Sequence, residues 1–234
     1  MERLFSFPVT EVDAAELAHQ DRIHASLTDA VRRLCDAQLR TTIPVEEIAD
    51  IIPQVDAIAQ RLLRSARDGS FGMELDHTGG GREHGNAVLG IRNPFAAAVG
   101  EHAMFWHDDS ASATLELGAL YEGPPGCVHG GVIALLMDQL FTEAAAAAGQ
   151  LGMTASITVS YRRPVPLGQV TVAARLERID GAKRMLRGTL CDAAGNVAAE
   201  AEALLILPRS ARDGEVPVWP KRPPVAIAPE TAAT

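Results

Sequence analysis

Four residues near the middle of the chain have types and spacing that suit chemistry on a carbonyl group: His129, Gly130, Gly131 and Asp138. The two glycines follow a Gly/Pro loop and begin an apolar helix. Their N–H groups therefore have no partners within the helix and lie at the positive end of its dipole. Because glycine has no side chain, a ligand can approach this backbone closely. A carbonyl oxygen that gains negative charge there would be stabilised by about 3 kcal/mol per donor.

Asp138 interrupts the helical part of the stretch Tyr121–Ala148, where almost every other position is apolar. A carboxylate in such a helix must be paired, neutralised or functional. It follows His129 by nine places, roughly 13 Å along a helix axis, so one chain cannot easily bring both to one carbonyl. We therefore expect a site shared across a dimer, with Gly130 from one subunit and Asp138 from the other. Two simpler interpretations stay open, namely glycines that only permit close packing and an aspartate that only satisfies a neighbouring group.

Composition limits the class of protein. The chain has 234 residues, 47% of them apolar, a net charge of −9 and a pI near 5.2. This acidic balance argues against a nucleic-acid binder or an anionic-membrane binder. Cys35, Cys127 and Cys191 lack CxxC spacing, which indicates neither a disulfide framework nor a zinc site and favours a cytoplasmic location. We expect no secretory signal, no membrane span, no metal and no cofactor.

Residues 1–67 are predicted to form an N-terminal helical appendage. The first helix is expected from Val12 to Leu39 with Asp13 as its N-cap, and the second from Pro44 to about Arg67, kinked or split at Pro53. The first 70 residues contain 12 acidic and 8 basic residues. Such a balance does not suit DNA binding, and it favours a role in packing or oligomerisation. Residues 68–86 are rich in glycine and predict a linker.

The pattern changes to strands over residues 87–207. Strands are expected at Ala103–His107, Ala111–Leu120, Met153–Arg163, Gln169–Ile179, Arg184–Asp192 and Val197–Leu207. The short turns between them imply an antiparallel sheet. A helix that is apolar on nearly all sides must be surrounded by that sheet, which predicts an α+β domain with the sheet wrapped around one long central helix. Residues 208–234 predict a Pro-rich, extended or disordered tail.

With these motifs the chain resembles the hotdog-fold acyl-CoA thioesterases. The resemblance is to the HGG-motif (PaaI-like) branch, which includes phenylacetyl-CoA-type bacterial enzymes and mammalian mitochondrial acyl-CoA thioesterases. Three features carry it: EGPPGCVHGG at Glu122–Gly131, Asp138, and MTASITVSYRRPVPLG at Met153–Gly168. It implies a hotdog fold and hydrolysis of acyl-CoA to free acid and CoA. It also implies self-association as a homodimer or a dimer of dimers.

The resemblance also assigns roles to individual residues. Asp138 would act as general base or as nucleophile, a choice that the sequence leaves open. The Gly130 N–H would stabilise the oxyanion, the hydroxyl of Thr154 would hold the water or the aspartate, and the His129 ring would orient the loop by bonding its carbonyls. The implied substrate-binding residues are Gly131, Ser160, Arg162, Arg163, Lys183 and Arg184. The four basic residues suit CoA phosphates, although a solvated sheet edge would also contain such residues.

Two departures from the family pattern are visible. One branch of the family has an asparagine in the loop before HGG, where this chain has Gly123, Pro124 and Pro125. Another hotdog group uses a glutamate on the helix, and we interpret Glu143 instead as a surface charge near the helix end. His84 is expected in the linker without a ligand partner.

Two other functions remain open on the sequence. One is a hotdog hydratase or dehydratase acting on acyl thioesters, and the other is a non-catalytic acyl-CoA-binding regulator. No HExxH or GxSxG motif is present to support a metalloenzyme or a serine hydrolase.

Overall fold

A computed structural model describes residues 8–69, 71–76, 79–96, 104–150 and 152–208 of the chain. These residues form eight strands, and the last six, β3 to β8, lie at Met104–His107, Ser110–Leu117, Met153–Tyr161, Gly168–Asp180, Lys183–Asp192 and Val197–Ile206. They form one antiparallel sheet in the order β3-β4-β6-β7-β8-β5. All six predicted strands are therefore confirmed, with ends that differ by at most three residues.

Strand β4 illustrates why these segments form a sheet with one buried face. Every second side chain points into the core, and the intervening ones are half-buried or exposed. The buried members are Ala111, Ala113, Leu115 and Leu117. Successive side chains of a strand point to opposite faces, so this alternation selects the face that packs against a helix.

That helix is α3, Gly130–Ala147, and it contacts all six strands of the sheet. Its Met137, Leu140 and Phe141 side chains are fully buried. Gly188 on β7 allows the close approach, because a Cβ there would lie 2.8 Å from a carbonyl oxygen and 3.1 Å from the Phe141 ring. The predicted α+β fold, with an antiparallel sheet wrapped around one long helix, is confirmed.

The other side of α3 is only partly covered in a single chain. Gly131 is exposed, and Ala134, Leu135, Asp138 and Thr142 are half-buried. By length and composition alone α3 could cross a bilayer. Its packing against every strand of the sheet gives another reason for its apolar composition, because the helix fills the core of the domain.

The N-terminal helices differ in how they are attached. Helix α1, Ala14–Arg40, begins at Asp13, whose side chain accepts hydrogen bonds from two N–H groups as the N-cap prediction expects. It docks on the segment before β3, where Arg32 donates to two backbone carbonyls and Thr28 to a third. Helix α2, Val45–Leu63, runs through Pro53 without a break, so of the expected kink or split the split is wrong. All residues of α2 are exposed.

The glycine-rich segment after α2 is folded. It contains a two-stranded hairpin, β1 (Met73–Leu75) and β2 (Gly81–Glu83). His84 follows it, is only 1% exposed and lies 3.3 Å from a carboxylate oxygen of Glu74. The expectation of a plain linker therefore differs from the structure, whereas the contact between His84 and Glu74 does not bear on the expectation that His84 has no matching metal ligand. The division into an appendage and a thioesterase domain stays a prediction, and residues 209–234 of the Pro-rich tail lie outside the described residues.

Candidate active site

The loop before α3 has a defined conformation held by backbone hydrogen bonds. Gly123 and Cys127 close a tight hairpin, and Gly126, at φ 74°, reverses the chain where a side chain would be strained. Val128 donates to the carbonyl of Val165 across 2.8 Å. The backbone carbonyl of Tyr121 accepts a hydrogen bond from the His129 N–H. The Tyr121 phenol donates to a carbonyl oxygen, and its burial raises the pKa of that phenol. These contacts fix the direction in which the helix begins.

His129 is the N-cap of α3. Its Nδ1 accepts a hydrogen bond of 2.9 Å from the Gly131 N–H. The contact expected between this ring and loop carbonyls is therefore replaced by a cap on a backbone N–H. Because the Gly131 N–H donates to that cap, it is not available to a ligand. The sequence alone leaves both glycine N–H groups available.

The Gly130 N–H remains available. Within the described part of the chain it has no hydrogen-bond acceptor, as expected for the first residue of a helix. A Cβ on Gly130 would lie 3.5 Å from the nearest atoms, which belong to the Tyr161 ring. This is an ordinary van der Waals contact, so packing within the chain does not explain why this position is a glycine. The open space beside the N–H suits a ligand.

Asp138 is held by a side chain of the edge strand β5. The hydroxyl of Thr154, on β5, donates to its Oδ1 across 2.8 Å. Asp138 is half-buried and Thr154 is exposed, so the pair faces away from the core. The predicted contact between the Thr154 hydroxyl and the aspartate is present, and it occupies one of the two carboxylate oxygens.

Tyr161 is a residue that the sequence analysis missed. Its hydroxyl donates to the carbonyl oxygen of Gly130 across 2.8 Å. The peptide between Gly130 and Gly131 is thus held at both polar atoms, by Tyr161 at its oxygen and by His129 at its nitrogen. A tyrosine at the end of a predicted strand, just before the two arginines, was the available signal.

The basic residues expected to bind CoA do not form one cluster in a single chain. Arg162 forms an exposed ion pair with Glu200 at 2.7 Å, and Arg163 is exposed. Lys183 lies at the other end of the sheet, where β7 pairs with Ile206. Since β5 runs the length between these ends, the two groups are about 25 Å apart. Ser160 is half-buried beside the first group.

Arg184 has a structural role within the chain, and its assignment to the substrate stays a prediction. It is 6% exposed, and its guanidinium donates to the Gly181 carbonyl and to Gln150 Oε1. These bonds join the β6–β7 turn to the segment after α3. Its position next to Lys183 in the sequence concealed this, because alternate side chains of a strand point to opposite faces.

Glu143 is also placed differently from its prediction. It is fully buried, and its carboxylate accepts hydrogen bonds from the Trp106 indole at 2.9 Å and from Gln139 at 3.0 Å. The interpretation as a surface charge is therefore wrong. One donor lies on β3 and the other one turn earlier on α3 itself, so this buried carboxylate belongs to the packing between α3 and β3.

Comparison with known proteins identifies the family. A model of the thioesterase superfamily matches residues 125–199, which include Asp138 and Thr154. Acyl-coenzyme A thioesterase THEM4 of Xenopus laevis is 39% identical over 101 residues, covering 41% of this chain and 45% of the relative. THEM4 of Mus musculus is 36% identical over 93 residues, covering 38% and 40%. The chain thus aligns with less than half the length of these relatives.

A solved structure extends the similarity over most of the chain. A crystal structure described as a thioesterase superfamily protein is 34% identical, with a TM-score of 0.69. The alignment covers 78% of this chain and 94% of that one. The chain therefore belongs to the thioesterase superfamily, and its wrapped sheet and central helix are the hotdog fold of that family.

Proposed function

We propose that this protein hydrolyses acyl-CoA thioesters to a free acid and CoA. The observation that carries the proposal is the Asp138–Thr154 pair on the open side of α3, on the same helix whose first N–H is free. The curated relatives, named as acyl-coenzyme A thioesterases, support the same reaction, although the chain matches only part of each.

The chemistry follows from the groups present. The Gly130 N–H would donate to the thioester oxygen and stabilise the negative charge that forms when the carbonyl is attacked. Asp138 would either take a proton from the attacking water or attack the carbonyl itself. The C–S bond then breaks, and the CoA sulfur leaves as thiolate and takes up a proton. If Asp138 was the nucleophile, water then hydrolyses the anhydride between Asp138 and the acyl group, which releases the free acid and restores the aspartate. Thr154 would hold the carboxylate in the orientation that either route needs.

Two copies of the chain would complete one site. Gly130 and Asp138 are eight residues apart on one helix, about 12 Å along the axis, so both cannot contact one carbonyl carbon from the same chain. The open side of α3 adjoins β5, an edge strand whose Met153 and Tyr161 are 51% and 53% exposed. An exposed edge favours pairing with another strand. We propose a homodimer, or a dimer of dimers, in which Gly130 of one subunit lies opposite Asp138 of its partner.

The CoA phosphates would lie on the exposed basic residues. Arg163 and Lys183 are exposed, and the Arg162–Glu200 ion pair is exposed enough to exchange partners at little cost. The separation of the two groups in one chain suits a nucleotide that contacts residues of both subunits. We also propose a reducing, cytoplasmic location, which the three free cysteines support.

Substitution of the aspartate tests the reaction. Asp138→Asn keeps the shape of the side chain and should abolish thiol release from a panel of short, long and aryl acyl-CoAs while leaving the melting temperature within a few degrees of the wild-type value. Full activity in this variant would refute the assignment. Tight acyl-CoA binding by the wild type without thiol release would favour the non-catalytic regulator. Hydration of crotonyl-CoA without thiol release would favour the hydratase.

A single-turnover reaction in ¹⁸O-water separates the two roles of Asp138. Label in the Asp138 carboxylate indicates attack by the aspartate on the thioester. Label only in the released acid rules out an anhydride that water opens at the aspartyl carbonyl, and it is the result expected if Asp138 activates water.

Complementation tests the shared site. Gly130→Pro removes the N–H at the first helical position, which proline favours, and His129 has the extended conformation (φ −64°, ψ 133°) that a following proline requires. This variant and Asp138→Asn should each be inactive alone. If each site uses two subunits, co-refolded mixtures contain intact sites and recover about a quarter of the activity. No recovery, despite exchange of subunits, would contradict the shared site.

A further inference from the structure

Helix α2 presents an apolar surface that nothing in the described chain covers. All of its residues are exposed. Val45, Ile48, Ile52 and Leu62 are 72%, 37%, 55% and 53% exposed. Single exposed apolar residues are ordinary, but a contiguous exposed stripe indicates a binding surface. Helix α2 provides none of the residues of the candidate active site.

The apolar residues of α2 follow the spacing of a helix that pairs with another helix. Steps of three and four residues alternate without interruption along the stripe, which consists of Val45, Ile48, Ile52, Val55, Ala59 and Leu62. This is the a/d pattern of a helix-pair seam. Pro53 lies outside the stripe, on the opposite side of the helix, where its ring does not obstruct a partner.

The stripe is symmetric about its own centre. When the helix is reversed end to end, Val45 comes opposite Leu62, Ile48 opposite Ala59, and Ile52 opposite Val55. Each a position then meets a d position, and the large Ile48 side chain meets the small Ala59. A second α2 running antiparallel therefore matches this stripe layer by layer.

The charges of α2 also favour an antiparallel pair. Its first turns contain Glu46, Glu47 and Asp50, its last turn contains Arg61, and Arg64 is its C-cap. In an antiparallel pair the acidic beginning of each helix lies beside the basic end of the other, whereas a parallel pair would bring like charges together. The helix dipoles also favour the antiparallel arrangement.

We propose that α2 is a self-association surface, which pairs antiparallel with α2 of a second copy of this chain. An anionic lipid surface fits less well, because helices that lie on such membranes have a basic polar face and α2 carries four acidic residues against one basic. A seam of this length is short for a free helix pair. The α2 contact alone therefore holds two chains only weakly. In an assembly of full-length chains that other contacts hold together, each α2 meets the other at a high local concentration, and the contact strengthens that assembly.

Disulfide trapping in the full-length chain tests the pairing and its direction. The native Cys35, Cys127 and Cys191 are first replaced by serine. In the double variant Val45→Cys/Leu62→Cys the two thiols are about 25 Å apart on one helix and cannot join within a chain. Mild oxidation should give a covalent dimer whose peptides link position 45 to position 62. Neither single variant should cross-link.

Two results would overturn the proposal. A covalent dimer from Val45→Cys alone would indicate a parallel pair, and no intermolecular 45–62 link in the double variant would indicate that α2 is free or is covered by something else. A charge substitution gives a second measurement. Ile52→Lys should raise the dissociation constant of the assembly about tenfold in sedimentation. Gln60→Lys, the same charge off the stripe, should leave it unchanged, and equal effects of both would contradict the proposal.

Discussion

The hydroxyl of Tyr161 lies 2.8 Å from the carbonyl oxygen of Gly130, so the end of the edge strand holds the first peptide of the core helix. The ring of the same tyrosine lies 3.5 Å from where a Cβ of Gly130 would be. Tyr161 thus holds the peptide that follows the free N–H of Gly130, and its ring leaves ordinary van der Waals space where a side chain at position 130 would lie. The space at Gly130 is therefore a property of the site and not a demand of the fold.

Gly130→Ala separates these two interpretations. The methyl group fits against Tyr161 without a clash, and alanine favours a helix over glycine by up to about 1 kcal/mol, so the melting temperature should not fall. The methyl would occupy the space beside the N–H, and kcat/KM for thiol release should fall at least about tenfold. Gly85→Ala, whose Cβ would meet open space, is the control and should change neither quantity. A stable, fully active Gly130→Ala would count against substrate approach at this position.

Thr154→Val should impair catalysis with little effect on folding. Thr154 is exposed, and valine keeps its shape while losing the hydrogen bond to Asp138. A hydrogen bond to a charged group contributes about 1.5–3 kcal/mol, so we expect kcat to fall about 10- to 100-fold. Thr154→Ser retains the hydroxyl and should recover most of the rate. Equal rates for the valine and serine variants would indicate that the hydroxyl has no role.

Glu143→Leu should destabilise the protein. It leaves the Trp106 indole N–H and the Gln139 amide without their buried acceptor, and each unsatisfied group costs about 1–3 kcal/mol. Urea unfolding should register this loss, and the fluorescence of Trp106 should shift as its hydrogen bond disappears. Glu143→Gln retains an acceptor and should cost less. A leucine variant as stable as the wild type would show that the carboxylate is not part of the packing.

The stability of the protein should decrease in mild acid because of His84. Burial lowers the pKa of this imidazole below 6.5, an effect that the Glu74 carboxylate partly offsets. The folded protein keeps His84 neutral while the unfolded chain takes up a proton, so the free energy of unfolding falls as the pH falls from 6.5 towards the lowered value. Urea titrations between pH 5 and 7.5 give the free energy of unfolding at each pH. This free energy should depend less steeply on pH in His84→Gln than in the wild type. The burial of His24 lowers its pKa as well, which should leave a residual slope.

The local patterns of the sequence were sufficient to predict the six strands, α3 and the Asp13 cap. Periodicity, turn residues and caps act over a few neighbouring residues, so they can be recognised without knowing what packs against them. Asp138 stood out for the same reason, as a carboxylate within an apolar helix, and its Thr154 partner followed from the family motif.

Only the tertiary structure decided which polar residues serve the fold. Arg184 and Glu143 are buried with partners that include Gln150 and Trp106 of distant segments. His84 is buried beside Glu74 of the hairpin, and Tyr161 reaches Gly130 across thirty-one positions in the sequence. Burial depends on contacts between segments that are far apart in the chain, and no local pattern contains that information. The same holds for α2, whose apolar stripe is evident in the sequence but whose complete exposure is evident only once the chain is folded.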